Sequence, residues 1–240
     1  MHTFCSYCQK KPTVGCLHQI QYEQATKNLD ITKFEIYCSS SLTISEHTLF
    51  DAFLLPKSMV FEIGCGTFHR TAPYYTKKQI SFYGVEPLKN IVQRSDYRQH
   101  IVIDTFDRSF LETYTKIQQN TYTAIILLGG IINGIHCPTL KDSFWSALRI
   151  LARNSEVVIL DTLTRPQFNF LKSKHGFQYS QQGVLPIQYS YSRKELQQIF
   201  TTYDFKVAVE GIDIGHSNTK TFVLYGDLWK QNSFFAENEK

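Results

Sequence analysis

The sequence has no block of like charge, no apolar run long enough to cross a bilayer and no internal repeat. Without a charge block there is no polybasic arm or acidic tail of the kind that grips nucleic acid or membranes. The longest apolar stretch, residues 124–135, is broken by Gly129, Gly130 and Asn133, and a spanning helix needs about 20 residues. Residues 1–11 are polar and carry Cys5 and Cys8 where a secretory leader would need an apolar run. The expectation is a soluble, cytoplasmic chain with no membrane partner, whose 6 cysteines are reduced thiols.

What is present suits a folded enzyme-sized unit. The 240 residues fit one large domain, or one domain with a small appendage. Apolar residues at 42% against 19% charged are enough to fill a core, which excludes a disordered or collagen-like chain. Lys and Arg total 25 and Asp and Glu 21, a net +4 that permits an anionic partner without demanding one.

From about residue 42 the hydrophobic period alternates between strand and helix. Strands are predicted at 59–63, 80–85, 100–103, 122–128, 156–160, 205–211 and 221–225, rich in Val, Ile, Phe and Tyr. Residues 124–128 and 157–160 are apolar at every position, which suits strands covered on both faces of a parallel sheet. Thr43-Ile44-Ser45-Glu46 and Ser192-Arg193-Lys194-Glu195 read as capping boxes that open helices. Pro138 opens another helix, with Leu140, Phe144, Leu148 and Leu151 on one face. Asp107 is expected to cap a helix running through Phe110, Tyr114 and Ile117. A short polar turn at 215–218 joins the last two strands as an antiparallel hairpin. The fold class predicted is α/β, a doubly wound, mostly parallel seven-stranded sheet with an antiparallel C-terminal hairpin and a small N-terminal arm. The divisions are an arm at 1–41, a main domain at 42–228 with an aromatic insertion at 164–191, and a tail at 229–240.

The strongest chemical signal is the strand and turn Val60-Phe61-Glu62-Ile63-Gly64-Cys65-Gly66-Thr67. Ligands of open α/β sheets collect at the carboxyl ends of strands, where Gly64 and Gly66 allow a tight turn and contact with bare backbone. The next strand ends in Gly84-Val85-Glu86, and an acid there can accept hydrogen bonds from ribose hydroxyls. A dinucleotide loop needs a small residue where His69 stands, and the Gly-Lys-Ser/Thr of a phosphate loop is absent. The loop therefore suits an adenosine without a pyrophosphate.

These residues resemble the first two motifs of class I S-adenosylmethionine-dependent methyltransferases, and the resemblance covers roughly residues 43–226. It implies that Gly64, Cys65 and Gly66 lie beneath the methionine part of the cofactor and that Glu62 orders their loop. Glu86 would bind the ribose, Asp104 with Thr105 would lie near the adenine amine, and Gly129 with Gly130 would floor the sulfonium. The sequence departs from the family at Phe68, where a small residue is usual. Its ring either crowds the cofactor or turns outward to line the substrate side.

Methyl transfer needs a nucleophile held in line and, for some acceptors, a base. The Asn/Asp-Pro-Pro-aromatic signature of exocyclic-amine methylation is absent, as is the Pro-Cys order of cytosine C5 enzymes, since Cys137 precedes Pro138. After the fourth strand, His136 is the candidate base and Asn133 the candidate substrate hydrogen-bonder or turn brace. Phe168, Phe170, Phe177, Tyr179, Tyr189 and Tyr191 in the insertion suit a lid over a planar or apolar acceptor. Cys5, Cys8, Cys16 and His18 form a candidate zinc set in the arm, and the arm also suits a cofactor lid. The leading expectation is methylation of an oxygen or nitrogen nucleophile on a small molecule. The alternatives are an RNA or protein methyltransferase with a zinc-binding N-terminal module, and a non-catalytic cofactor-binding or scaffold protein. A nucleic-acid groove would be lined by Arg70, Arg165, Lys172, Lys174 and Arg193.

Overall fold

The computed structural model describes residues 41–135, 138–163, 177–178, 188–189, 191–213 and 219–230. The chain enters through helix α1 (Ile44–Phe53), then β1 (Met59–Ile63), α2 (Ala72–Lys77), β2 (Ser81–Val85), α3 (Lys89–Val92) and β3 (Ile101–Val102). Two short helices, α4 (Arg108–Thr113) and α5 (Thr115–Gln119), precede β4 (Tyr122–Leu127). A 3-10 turn at Ile131–Gly134 leads to α6 (Pro138–Ala152) and β5 (Ser155–Leu163). The insertion contributes β6 (Phe177–Gln178) and β7 (Gln188–Tyr189), followed by α7 (Arg193–Thr202), β8 (Lys206–Asp213) and β9 (Thr219–Tyr225).

Seven strands form one sheet in the order β3-β2-β1-β4-β5-β9-β8. Pairing is parallel from β3 to β5 and antiparallel for β5–β9 and β8–β9, as the sequence pattern predicts. The strand order reverses between β1 and β4, so the crevice at their carboxyl ends is the topological switch point. Alternate strand residues face opposite layers. Phe61, Ile125, Leu127, Val158 and Leu160 pack with residues of α4, α6 and α7, whereas Val60, Ala124, Ile126, Val157 and Ile159 pack with residues of α1 and α2. Both faces being covered is why β4 and β5 carry continuous apolar runs.

Both capping boxes form. Thr43 and Ser192 each accept from the N3 backbone while Glu46 and Glu195 return the bond. Three of the differences from the sequence pattern have a local cause. The helix capped by Asp107 stops at Thr113 and restarts at Thr115. Thr113 donates its hydroxyl back to Ser109 O at 2.9 Å, and such back-bonding bends helices that β-branched residues already disfavour. Strand β3 has only two residues, because His100 closes a 3-10 turn before it. Strand β5 runs three residues further than its apolar stretch, paired with β9 through Leu163. Among the described residues no helix is long and apolar enough to cross a membrane.

Candidate functional site

The turn after β1 is built on glycine. Gly64 and Gly66 have φ of +67° and +57°, a left-handed region that glycine enters without steric cost. Gly64 N and Cys65 N both donate to Val85 O, at 2.8 and 3.3 Å. A Cβ on Gly64 would collide with Ile131, so glycine here is what lets the turn after β4 close against the turn after β1.

Glu86 pins this turn. Its Oε2 accepts from Gly66 N at 3.1 Å and its Oε1 from Leu88 N at 3.0 Å. The residue is buried, and desolvation raises its carboxyl to about 7 against the pull of those two N–H groups. Each oxygen keeps a second lone pair for a further donor. Glu62 acts from behind: its Oε2 accepts from Thr71 Oγ1 at 2.9 Å and Tyr75 Oη at 3.0 Å, anchoring the helix that the turn enters. Burial raises it to about 7, opposed by those hydroxyls and by the charge of Arg70. Ser95, which the sequence pattern does not single out, donates its hydroxyl to Thr67 O at 2.6 Å.

Phe68 takes neither of the two courses expected of it. With φ of +62° its ring turns into the core, 1% exposed, edge-on to Phe82 at 5.1 Å. Room comes from Gly84, where a Cβ would lie 2.7 Å from Phe68 Cζ and 2.7 Å from Cys65 Sγ. The Cys65 side chain is therefore a packing group, and burial pushes its thiol well above the usual range.

The turn after β4 is held by a residue that sequence reasoning missed. Asp161 on β5 accepts from Gly129 N at 2.9 Å and from Gly130 N at 2.6 Å, one bond to each oxygen. Both glycines have positive φ, +79° and +69°. A Cβ on Gly129 would meet no atom within 4 Å, so this backbone borders open space. Burial raises the Asp161 carboxyl to about 6, against the Gly130 and Gly129 N–H groups and the Arg70 charge. The available signal was an acid directly after four apolar strand residues, inside a sheet, where it needs buried donors.

Asn133 is fully buried and donates from Nδ2 to Thr162 Oγ1 at 3.1 Å, which braces the turn onto β5. Tyr191, also fully buried, places its hydroxyl 2.9 Å from Ile135 O and 3.2 Å from Ile132 O. Strand β7 lies against the Ile131–Gly134 turn, beside the β4 exit. Asp104, just beyond β3, accepts from Thr105 N at 2.7 Å, and Thr105 is exposed. His136, Cys137, Phe168, Phe170, Tyr179 and the set Cys5, Cys8, Cys16 and His18 lie outside the described residues. Among those described, no group of three His, Cys, Asp or Glu side chains is arranged to hold a metal.

Open space at Gly129, two glycine turns in contact and a buried acid at the end of β2 fit an adenosine ligand carrying an amino-acid tail. No protein-family model and no curated protein matches the chain. Solved structures do. A 1,6-didemethyltoxoflavin-N1-methyltransferase of Burkholderia thailandensis, with bound 1,6-didemethyltoxoflavin and S-adenosylhomocysteine, is 11% identical with a TM-score of 0.54, over 88% of this chain and 87% of that one. A sugar N-methyltransferase from Streptoalloteichus is 12% identical with a TM-score of 0.54, over 75% of this chain and 84% of that one. An S-adenosylmethionine-dependent methyltransferase from Clostridium acetobutylicum is 9% identical with a TM-score of 0.51, over 87% of this chain and 97% of that one. The chain has the class I S-adenosylmethionine-dependent methyltransferase fold.

Proposed function

We propose that the protein is an S-adenosylmethionine-dependent methyltransferase acting on an oxygen or nitrogen nucleophile of a small molecule. The observation that carries the reading is the pair of glycine turns at the exits of β1 and β4, each pinned by a buried carboxylate from the neighbouring strand. S-adenosylmethionine, when bound, supplies a methyl group on a sulfonium. The chain's part is to hold the cofactor and acceptor in line and to exclude water. Glu86 offers its remaining lone pairs to the ribose, Gly64 and Gly66 give backbone access to the amino-acid end, and Gly129 borders the reacting side. Asp104 and Thr105 are the proposed neighbours of the adenine. His136, directly after the β4 turn, is proposed as the base, and Asn133 as a residue that positions the turn.

A small acceptor is favoured because, of the five candidate groove residues, the two described, Arg70 and Arg193, are already ion-paired, and Arg165, Lys172 and Lys174 lie outside the described residues. Arg70 is ion-paired with Glu46, and Arg193 binds Glu210 through both oxygens at 2.6 and 3.0 Å. The structural relatives that act on toxoflavin precursors and sugars support the same class. Phe68, whose ring lies in the core, lends no support to the non-catalytic alternative. In the N-terminal arm, the Cys5, Cys8, Cys16 and His18 spacing supports one zinc per chain. Metal analysis of protein purified without chelator is expected to find it, and Cys5→Ser to lose it.

Calorimetric titration with S-adenosylhomocysteine tests the main reading. Glu86→Ala is expected to weaken binding at least tenfold while leaving the fold intact by circular dichroism, because charge-assisted hydrogen bonds contribute about 1.5–3 kcal/mol each. Unchanged affinity in this variant, or no binding to the parent protein, would overturn the reading.

A further inference from the structure

Helix α1 is joined to the segment entering α2, which follows the first glycine turn, by one buried ion pair. Glu46, in its first turn, is fully buried. One oxygen accepts from Thr43 N at 2.8 Å and the other takes the guanidinium of Arg70. Arg70 stands on the segment entering α2, next to Thr71, the residue that donates to Glu62. Its side chain is 16% exposed. The Arg70 charge favours the ionised forms of Glu62 and of Asp161, and the Glu46 charge also reaches Asp161. One cation thus faces three carboxylates drawn from α1, β1 and β5. Each of these carboxylates holds something different. Glu46 holds the chain entering α1, Glu62 holds the start of α2, and Asp161 holds Gly129 and Gly130. Removing one member of a buried pair strands the charge of the other, so the members of such a cluster are expected to fail together.

We infer that Arg70 and Glu46 are positioning residues of the cofactor cradle, an ion pair that clamps α1, and the chain entering it, to the turn before α2 and couples it through Asp161 to the Gly129–Gly130 turn. The ligand in this inference rests on the proposed function, whereas the clamp rests on the Arg70–Glu46 ion pair and its reach to Asp161 on their charges. Arg70 acts here through its neighbours and not by touching the ligand.

The test titrates S-adenosylhomocysteine and 5′-methylthioadenosine, which lacks the amino-acid end, into Glu46→Gln, Arg70→Met, the double variant and Arg70→Lys. Both single variants are expected to lose at least tenfold in affinity for both ligands. The double variant is expected to bind no more weakly than the worse single, and Arg70→Lys to recover part of the loss. Parental affinity in folded variants, or losses that add in the double, would overturn the coupling. A loss confined to S-adenosylhomocysteine would place Arg70 on the ligand and overturn the positioning role. Should the variants not fold, or the parent bind neither ligand, hydrogen exchange on the parent still decides. The amides of Thr43, Gly129 and Gly130 are expected to open in one event with a common denaturant dependence, and separate openings would overturn the clamp.

Discussion

Phe68 and Gly84 have to be read together. A bulky residue at positive φ is strained by roughly 1–2 kcal/mol, and here burial of the ring against Phe82 offsets it. Gly84→Ala would drive a methyl into Phe68 and Cys65 and is expected to cost about 1–3 kcal/mol in urea unfolding. Phe68→Ala is expected to cost about 3–5 kcal/mol through the cavity it leaves. In the double variant the added methyl enters that cavity, so the combined loss is expected to be smaller than the sum. Additive losses would show that the two residues do not share the space. Asp161 is a different kind of residue, because its two bonds go to the Gly129–Gly130 turn proposed to border the ligand. Asp161→Asn sets an amide donor against a backbone N–H. It is expected to weaken S-adenosylhomocysteine binding tenfold or more, whereas Asn133→Ala should chiefly lower stability by about 1–3 kcal/mol.

At the scale of elements, what was legible in the sequence is what local chemistry alone decides. Thr43 with Glu46 and Ser192 with Glu195 satisfy their own helix ends, so both helices start where their capping boxes stand. Strands β4 and β5 declared themselves because both faces are buried. The break at Tyr114 was hidden, since Phe110, Tyr114 and Ile117 keep helical spacing across it. The length of β5 was hidden for another reason: Asp161 and Thr162 are polar, and only their partners on the β4 turn make them strand residues of the interior. The two capping boxes also differ in consequence. Ser192→Ala is expected to cost about 1 kcal/mol with ligand affinity unchanged. Thr43→Ala should cost a similar amount and also weaken S-adenosylhomocysteine binding, because the same Glu46 serves Arg70. Equal effects of the two substitutions on affinity would separate α1 from the site.

For the whole molecule, the mostly parallel sheet and its antiparallel hairpin followed from the alternation of strand and helix, but the depth at which the crevice acids are buried did not. A hydrophobic-period reading assigns an acid at a strand end to solvent, whereas Glu62, Glu86 and Asp161 are all buried there, with carboxyls raised to about 7, 7 and 6. This has a consequence for stability. Between the ordinary carboxyl range and these raised values, the folded chain keeps protons that the unfolded chain has released. Folding is then linked to proton uptake, so the contribution of these groups is full below about pH 4, falls as pH rises and is lost above about 7. The shift at Glu86 alone corresponds to roughly 3 kcal/mol, since one unit is 1.36 kcal/mol. The ligand-free protein is therefore expected to lose thermal stability from pH 5 to 7.5 and to level off above that. Glu86→Gln, which cannot ionise, is expected to show a shallower decline. Identical slopes in differential scanning calorimetry of parent and variant would mean that Glu86 is ionised throughout. The crevice would then keep the Glu86 charge without a ligand, whatever Glu62 and Asp161 do.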